Sequence, residues 1–119
     1  MIGIDIVVIS RIEKMMEKFG DKALKRFLDE DELKLVKSPS TASGFWAAKE
    51  AASKAIGTGI GKECNFHDIK ITKTKKNAPK IKYKKRLRKK FKIQNSKLSI
   101  THDGGFAIAV VAVERKNKK

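Results

Sequence analysis

The stretch Phe45–Gly61, FWAAKEAASKAIGTGIG, decides how this chain folds. Its alanines, Ala47, Ala48, Ala51, Ala52 and Ala55, favour helix and let a neighbouring element come close. Gly57 is the expected residue just past the helix C-terminus. Upstream, Ser38-Pro39-Ser40 reads as a break and a helix entry, because proline is tolerated in a first turn and nearby hydroxyls can cap. The spacing predicts a helix from Pro39 to about Ile56. Glu50 and Lys54 share one face of it. The turn Gly57-Thr58-Gly59-Ile60-Gly61 follows at once. An acid able to hold a cation, a base able to meet a phosphate and a flexible turn then lie within about 15 Å, at ~1.5 Å rise per helical residue. That combination suits a metal-bound phosphate ester.

Around this helix the chain alternates short elements. Ile2–Ile9 is a β-branched, nearly continuous apolar run, read as a buried strand. Asp5 sits within it, where a carboxylate is costly unless paired or metal-bound. Ile12, Met15, Met16 and Phe19 recur at helical spacing through Arg11–Phe19. Lys22–Leu28 and Asp29–Val36 read as two further short helices, the latter with acids early and lysines late. Phe66–Thr72 and Pro79–Tyr83 read as strands about a polar turn, and Lys84–Lys92 as a basic helix. Leu98–Thr101 and Phe106–Glu114 flank His102-Asp103-Gly104-Gly105, a hairpin signature. The tail Arg115–Lys119 is expected to fray. No repeat or linker divides the chain, so residues 1–119 form one α+β domain.

The chain carries 29 Lys and Arg against 13 Asp and Glu, a formal charge of +16. Such a field attracts polyanions. Residues 70–92 hold 13 of the bases and no acid. That segment suits nucleic-acid phosphates, but Tyr83 and Phe91 are too few aromatics for a base-stacking platform. A small nucleic-acid-binding protein is therefore the alternative reading. A single cysteine, Cys64, excludes an intrachain disulfide and fits a cytoplasmic location. No apolar run reaches the eighteen or so residues of a membrane span, and no signal peptide is visible.

Asp5 and Glu50 together would suit Mg²⁺, which is usually held by one or two carboxylates plus substrate phosphates. Zinc is disfavoured, since no Cys/His cluster has ligand spacing. Each residue also has a plainer role open to it. Asp5 can cap a strand end, Glu50 can pair with Lys54 at the surface, and His102 can be an ordinary hydrogen-bonding turn residue. Gly57 is explained by a helix cap, but Gly59 and Gly61 are less so.

Three blocks resemble a known family. They are Gly3-Ile4-Asp5-Ile6-Val7 with Arg11-Ile12, Ala47-Ala48-Lys49-Glu50-Ala51 through Lys54 to Gly61, and Ser99-Ile100-Thr101-His102-Asp103. In order and spacing they resemble the small, single-domain 4′-phosphopantetheinyl transferases of the holo-[acyl-carrier-protein] synthase class. The resemblance implies transfer of 4′-phosphopantetheine from coenzyme A to a serine of apo-acyl carrier protein, releasing adenosine 3′,5′-bisphosphate. It implies Mg²⁺ on Asp5, Glu50 and a coenzyme phosphate oxygen, with Lys54 at the leaving phosphate. It implies coenzyme contacts from Lys49, Lys54, His102 and the Gly57, Thr58, Gly59 and Ile60 turn. It implies a mostly antiparallel sheet packed on a long central helix, and a homotrimer with sites at subunit interfaces. The acidic carrier protein would dock on Arg11, Lys14, Met15, Lys18, Lys22, Lys25 and Arg26. The family often has Arg-Phe before Ala-Ala-Lys-Glu, where this chain has Phe45-Trp46. Lysines after Gly61 are candidates to replace that charge, and Trp46 is read as core.

Overall fold

The computed structural model describes residues 1–116. Their order is β1 (Ile2–Val8), α1 (Ile9–Phe19), α2 (Asp21–Lys25), α3 (Glu30–Leu33), α4 (Pro39–Ala55), β2 (Ile69–Lys73), β3 (Pro79–Tyr83), α5 (Lys85–Lys90), β4 (Ile93–Asp103) and β5 (Phe106–Arg115). Two antiparallel sheets result, a three-stranded β1-β5-β4 and a two-stranded β2-β3.

Helix α4 runs for 17 residues and starts as its sequence suggests. Ser38 accepts a hydrogen bond from the Thr41 amide at 3.3 Å, and Pro39 occupies the first turn. Ala47, Ala48, Ala51 and Ala52 are wholly buried, and the helix packs on β1 and β5. The approach is close enough to dictate Gly3: a Cβ there would lie 1.9 Å from the Ala51 carbonyl oxygen. The small residues of α4 and Gly3 of β1 thus bring two backbones together, and Asp5 comes with them.

The strand β1 differs from its sequence reading. Gly3 and Val7 are buried against α4, but Ile2, Ile4, Ile6 and Val8 stand on the other face, 46–71% exposed. They lie across from Ala112, Val110, Ile108 and Phe106 of β5. A continuous apolar run signals burial on both faces, and within one chain only one face is covered. Other boundaries shift for local reasons. Residues 66–68 form a 3₁₀ helix rather than strand, because Asn65 and Asp68 cap each other's amides. Strand β4 begins at Ile93, earlier than Leu98, because its polar residues 94–97 still run beside β5, with an irregularity between Ile93 and Asn95. Helices α2 and α3 are shorter than read. At the β4–β5 turn Gly104 and Gly105 take φ of 55° and 83°, as a tight hairpin requires. Of the expected frayed tail, Arg115 closes β5 and Lys116 donates its amide to the Lys92 carbonyl. Residues 117–119 lie outside the described part.

The core is a single cluster in which Phe27, Phe45, Leu28, Leu87 and Tyr83 meet the α4 alanines. Trp46 is half-buried, with ring centroids 5.0 Å from Phe27 and 4.8 Å from Phe66. No described helix is long and apolar enough to cross a membrane.

Candidate active site

Asp5 points from β1 toward α4, its side chain 15% exposed. Its Oδ1 accepts from Lys54 Nζ at 2.8 Å, and the same ammonium donates to the Ile4 carbonyl at 3.2 Å. Glu50 lies one turn before Lys54. Partial burial pushes its carboxyl above the usual range, and the nearby charge of Asp5 pushes it further, against the pull of Lys54 and Arg11. The hydrogen bond to Asp5 raises the Lys54 ammonium. Two hard carboxylates, uncomfortable beside one another, and a partly exposed lysine therefore converge where β1 crosses α4. The donor set fits Mg²⁺, since a divalent cation would relieve the repulsion that Glu50 feels from Asp5.

Lys49, expected on a coenzyme phosphate, is instead fully buried. Its ammonium donates to the Phe27 carbonyl at 2.7 Å, to Glu32 Oε1 at 2.8 Å and to the Phe66 carbonyl at 3.1 Å. All three of its donor sites are used within the chain, so it has none to offer a phosphate. Burial lowers its pKa, with Glu32 opposing the shift. The carboxylate of Glu32, equally buried, also accepts from the Asp29 and Ile71 amides, each at 2.8 Å. Nothing in the sequence singles out Glu32, because one of three acids in the short helix α3 reads as a dipole partner.

The glycine turn also departs from its reading as a cradle of amides. The Gly57 amide donates to the Lys54 carbonyl, those of Thr58 and Gly59 to Ser53, and that of Gly61 to Cys64. Gly57 and Gly59 take positive φ, 82° and 65°, which closes these internal bonds. Among these residues only the Ile60 amide has no partner within the described residues. The outer side is open, because a Cβ at Gly57, Gly59 or Gly61 would meet nothing within 4 Å. A ligand can lie against this turn.

His102 sits toward the other end of α4. Its Nε2 is 2.9 Å from the Ser40 carbonyl, and a Cβ on Gly44 would lie 3.1 Å from that nitrogen. The ring borders a cavity of about 160 Å³ that also touches Phe45, Lys73, Pro79 and Ile100. Phe45, where the family often has arginine, is buried, and Lys73 brings a cation to the same cavity from β2. From Gly44 to Lys54 is about 15 Å along the helix at ~1.5 Å per residue. Within one chain, His102 is thus well separated from Lys54, while Glu50 is about 9 Å from Gly44 along the helix at ~1.5 Å per residue.

The basic face of α1 and α2 is exposed at Arg11, Lys14, Lys18, Lys22, Lys25 and Arg26, with Met15 half-buried. Arg11 stacks over Trp46, 5.6 Å from the ring centroid. Phe19, read in the sequence as part of the apolar stripe of α1, is instead 44% exposed, between Lys18 at 5.3 Å and Arg26 at 5.6 Å.

Comparison with known proteins shows the family. A holo-[acyl-carrier-protein] synthase of Aliarcobacter butzleri is 67% identical over 118 residues, covering 99% of this chain and 100% of that one. The crystal structure of the Helicobacter pylori holo-[acyl-carrier-protein] synthase in complex with coenzyme A superposes with a TM-score of 0.92 at 54% identity, covering 96% of this chain and all of that one. The Bacillus anthracis holo-(acyl-carrier-protein) synthase in complex with CoA (3′,5′-ADP) has a TM-score of 0.81 at 38% identity, covering 97% and 96%. With residues 1–111 matching its family model as well, the chain belongs to the 4′-phosphopantetheinyl transferase superfamily.

Proposed function

We propose that this protein is a holo-[acyl-carrier-protein] synthase. It transfers 4′-phosphopantetheine from coenzyme A to a serine of apo-acyl carrier protein and releases adenosine 3′,5′-bisphosphate. The observation that carries the reading is the convergence of Asp5, Glu50 and Lys54 where β1 crosses α4.

The serine hydroxyl must lose its proton as it attacks the β-phosphorus of the coenzyme's pyrophosphate. Glu50 is the candidate acceptor among the groups gathered where β1 crosses α4. As the new P–O bond forms, the bond to the nucleotide phosphate breaks and charge grows on the departing oxygen. Lys54, charged and half-exposed, faces that charge while Asp5 fixes its position. Asp5 and Glu50 would hold Mg²⁺ together with a coenzyme phosphate oxygen; when bound, the ion supplies further charge neutralisation at the pyrophosphate.

The coenzyme's nucleotide end needs a second set of contacts. His102 and Lys73 border a cavity suited to it, and Lys73 supplies the positive charge that Phe45 does not. The open flank of the Gly57–Gly61 turn offers a further surface. In one chain the acidic pair and the His102 cavity lie toward different parts of α4. A homotrimer with sites between subunits would bring one subunit's acidic pair to a neighbour's cavity. The uncovered apolar face of Ile2, Ile4, Ile6 and Val8 with Phe106 supports such an assembly. The exposed cations of α1 and α2, with Phe19 between two of them, form the docking face for the acidic carrier protein. The lone, buried Cys64 agrees with a cytoplasmic setting.

The test is mass spectrometry of apo-carrier protein incubated with the enzyme, coenzyme A and Mg²⁺. One phosphopantetheine should be added at the acceptor serine. Asp5→Ala and Glu50→Ala should each lower turnover by about a hundredfold or more while staying folded. Near-normal turnover of either folded variant at limiting Mg²⁺ would remove that residue from the metal site.

A further inference from the structure

A second cavity, of about 560 Å³, lies apart from the one beside His102. It lies where the free edge of β3 faces the start of β4. These strands belong to different sheets, and Ser96 Oγ bridges them by donating to the Ile81 carbonyl at 2.9 Å. Register separates this cleft from the proposed coenzyme cavity. Lys73 pairs with Pro79 and both touch the His102 side, whereas Thr72 pairs with Lys80 and Lys70 with Lys82. Neighbouring residues of a strand face opposite ways, so Thr72, Lys80 and Lys82 present the other face of the hairpin.

The cleft is strongly positive. Lys80 and Lys82 form no ion pair with the described residues, Lys84 adds a third cation paired loosely with Asp68 at 3.7 Å, and Lys70 at the rim is paired with Asp29 and Asp31. Arg88 of α5 donates to the Tyr83 carbonyl, which holds its guanidinium at the wall. Gln94 and Asn95 bring amide donors from β4 to the facing wall. No acidic side chain among the described residues lines it. None of these cations serves the chemistry described above, and none belongs to α1.

We propose that this cleft is a second anion site, which takes an oligophosphate group of two or more phosphates. Several lysines converging from one face suit a chain of phosphates better than a single carboxylate. The volume matches a small ligand rather than a docked protein. A nucleic-acid strand is disfavoured because the one aromatic in the wall, Tyr83, is 1% exposed and its hydroxyl is spent on the Ala52 carbonyl, so it offers no face to a base.

The test is an amide NMR titration of the full-length protein with inorganic triphosphate, and separately with ATP, in the absence of coenzyme A. Saturable shifts centred on Thr72, Lys82, Asn95 and Ser96 are expected with both probes, weakening as salt is added. Lys80→Ala/Lys82→Ala should raise the apparent Kd about tenfold or more at an unchanged Tm. Saturation by ATP but not by triphosphate would overturn the site as an oligophosphate site. So would shifts confined to the surroundings of Gly44 and His102, linear non-saturating shifts, or a double variant that binds like the wild type. Because coenzyme A transfer is read separately by mass spectrometry, failure here leaves the proposed transferase reaction standing, and failure there leaves this site standing.

Discussion

Lys49 and Glu50 are adjacent but end on different sides of α4, and their charges are handled differently. The Lys49 ammonium is neutralised by Glu32 and two carbonyls, whereas Glu50 ionises beside Asp5 against a burial penalty. Removing one partner of a buried pair leaves the other charge stranded. Lys49→Met and Glu32→Gln should each cost about 3–5 kcal/mol in urea unfolding. Lys49→Met/Glu32→Gln should cost less than the sum, because neither charge is then stranded. Additive losses would mean that the pair is not coupled. Glu50 should behave in the opposite sense. Its pKa is raised in the folded protein, so its ionised form opposes folding at neutral pH and that penalty is relieved as pH falls through the raised value. Glu50→Gln should therefore raise the Tm of metal-free protein near neutral pH, and the gain should shrink in acid, while turnover collapses. A lower Tm at neutral pH would contradict the electrostatic account. The sequence makes Glu50 and Lys54 legible through their four-residue spacing. It does not reveal the fate of Lys49, because its partners arrive from Phe27, Glu32 and Phe66, all distant in the chain.

Among the elements, α1 and the β2–β3 hairpin carry the experiments that separate partner from coenzyme. Reversing Arg11 to Glu should lower kcat/KM for carrier protein about tenfold or more, and added salt should narrow the gap as it screens the field over ~8–10 Å. Coenzyme A affinity should change far less. Equal loss of both would place Arg11 in the coenzyme site or in the stacking on Trp46. Lys73→Ala should raise KM for coenzyme A with kcat nearly unchanged, the pattern of uniform binding lost. A fall in kcat alone would move Lys73 from binding to chemistry. The elements themselves were legible where local rules decide. Pro39 and Ser38 announce the start of α4, and the glycine pair of the β4–β5 turn announces the hairpin. They were illegible where tertiary contacts decide. The 3₁₀ helix at Phe66–Asp68 depends on two reciprocal side-chain caps, and the polar start of β4 is held in line by its neighbour β5. The inward turn of the Gly57–Gly61 amides depends on carbonyls at Ser53, Lys54 and Cys64, which glycine content alone does not show.

For the whole molecule, the apolar outer face of β1 and β5 is the feature that one chain does not explain. If the proposed homotrimer forms through this face, Ile6→Glu should convert it to monomers in analytical ultracentrifugation, with far-UV circular dichroism preserved and turnover lost together with assembly. An active monomer would show that each chain holds a complete site. Mixing also tests the shared site: Asp5→Ala and His102→Ala chains, each inactive alone, should regain activity when allowed to exchange subunits, since some interfaces would then pair two intact halves. The sequence reading of β1 as a buried strand holds for the face of Gly3 and Val7 and fails for the face of Ile2, Ile4, Ile6 and Val8, because an apolar run does not say how many of its faces the chain itself covers. That bare face carries a consequence for the cell. If three chains must meet before a site exists, output depends on roughly the third power of free chain when the protein is scarce and becomes linear once assembly is complete. Synthesis below that level would yield well-folded polypeptide and almost no holo-carrier. Activity per chain should accordingly fall when a purified sample is diluted below its assembly range, and recover on concentration.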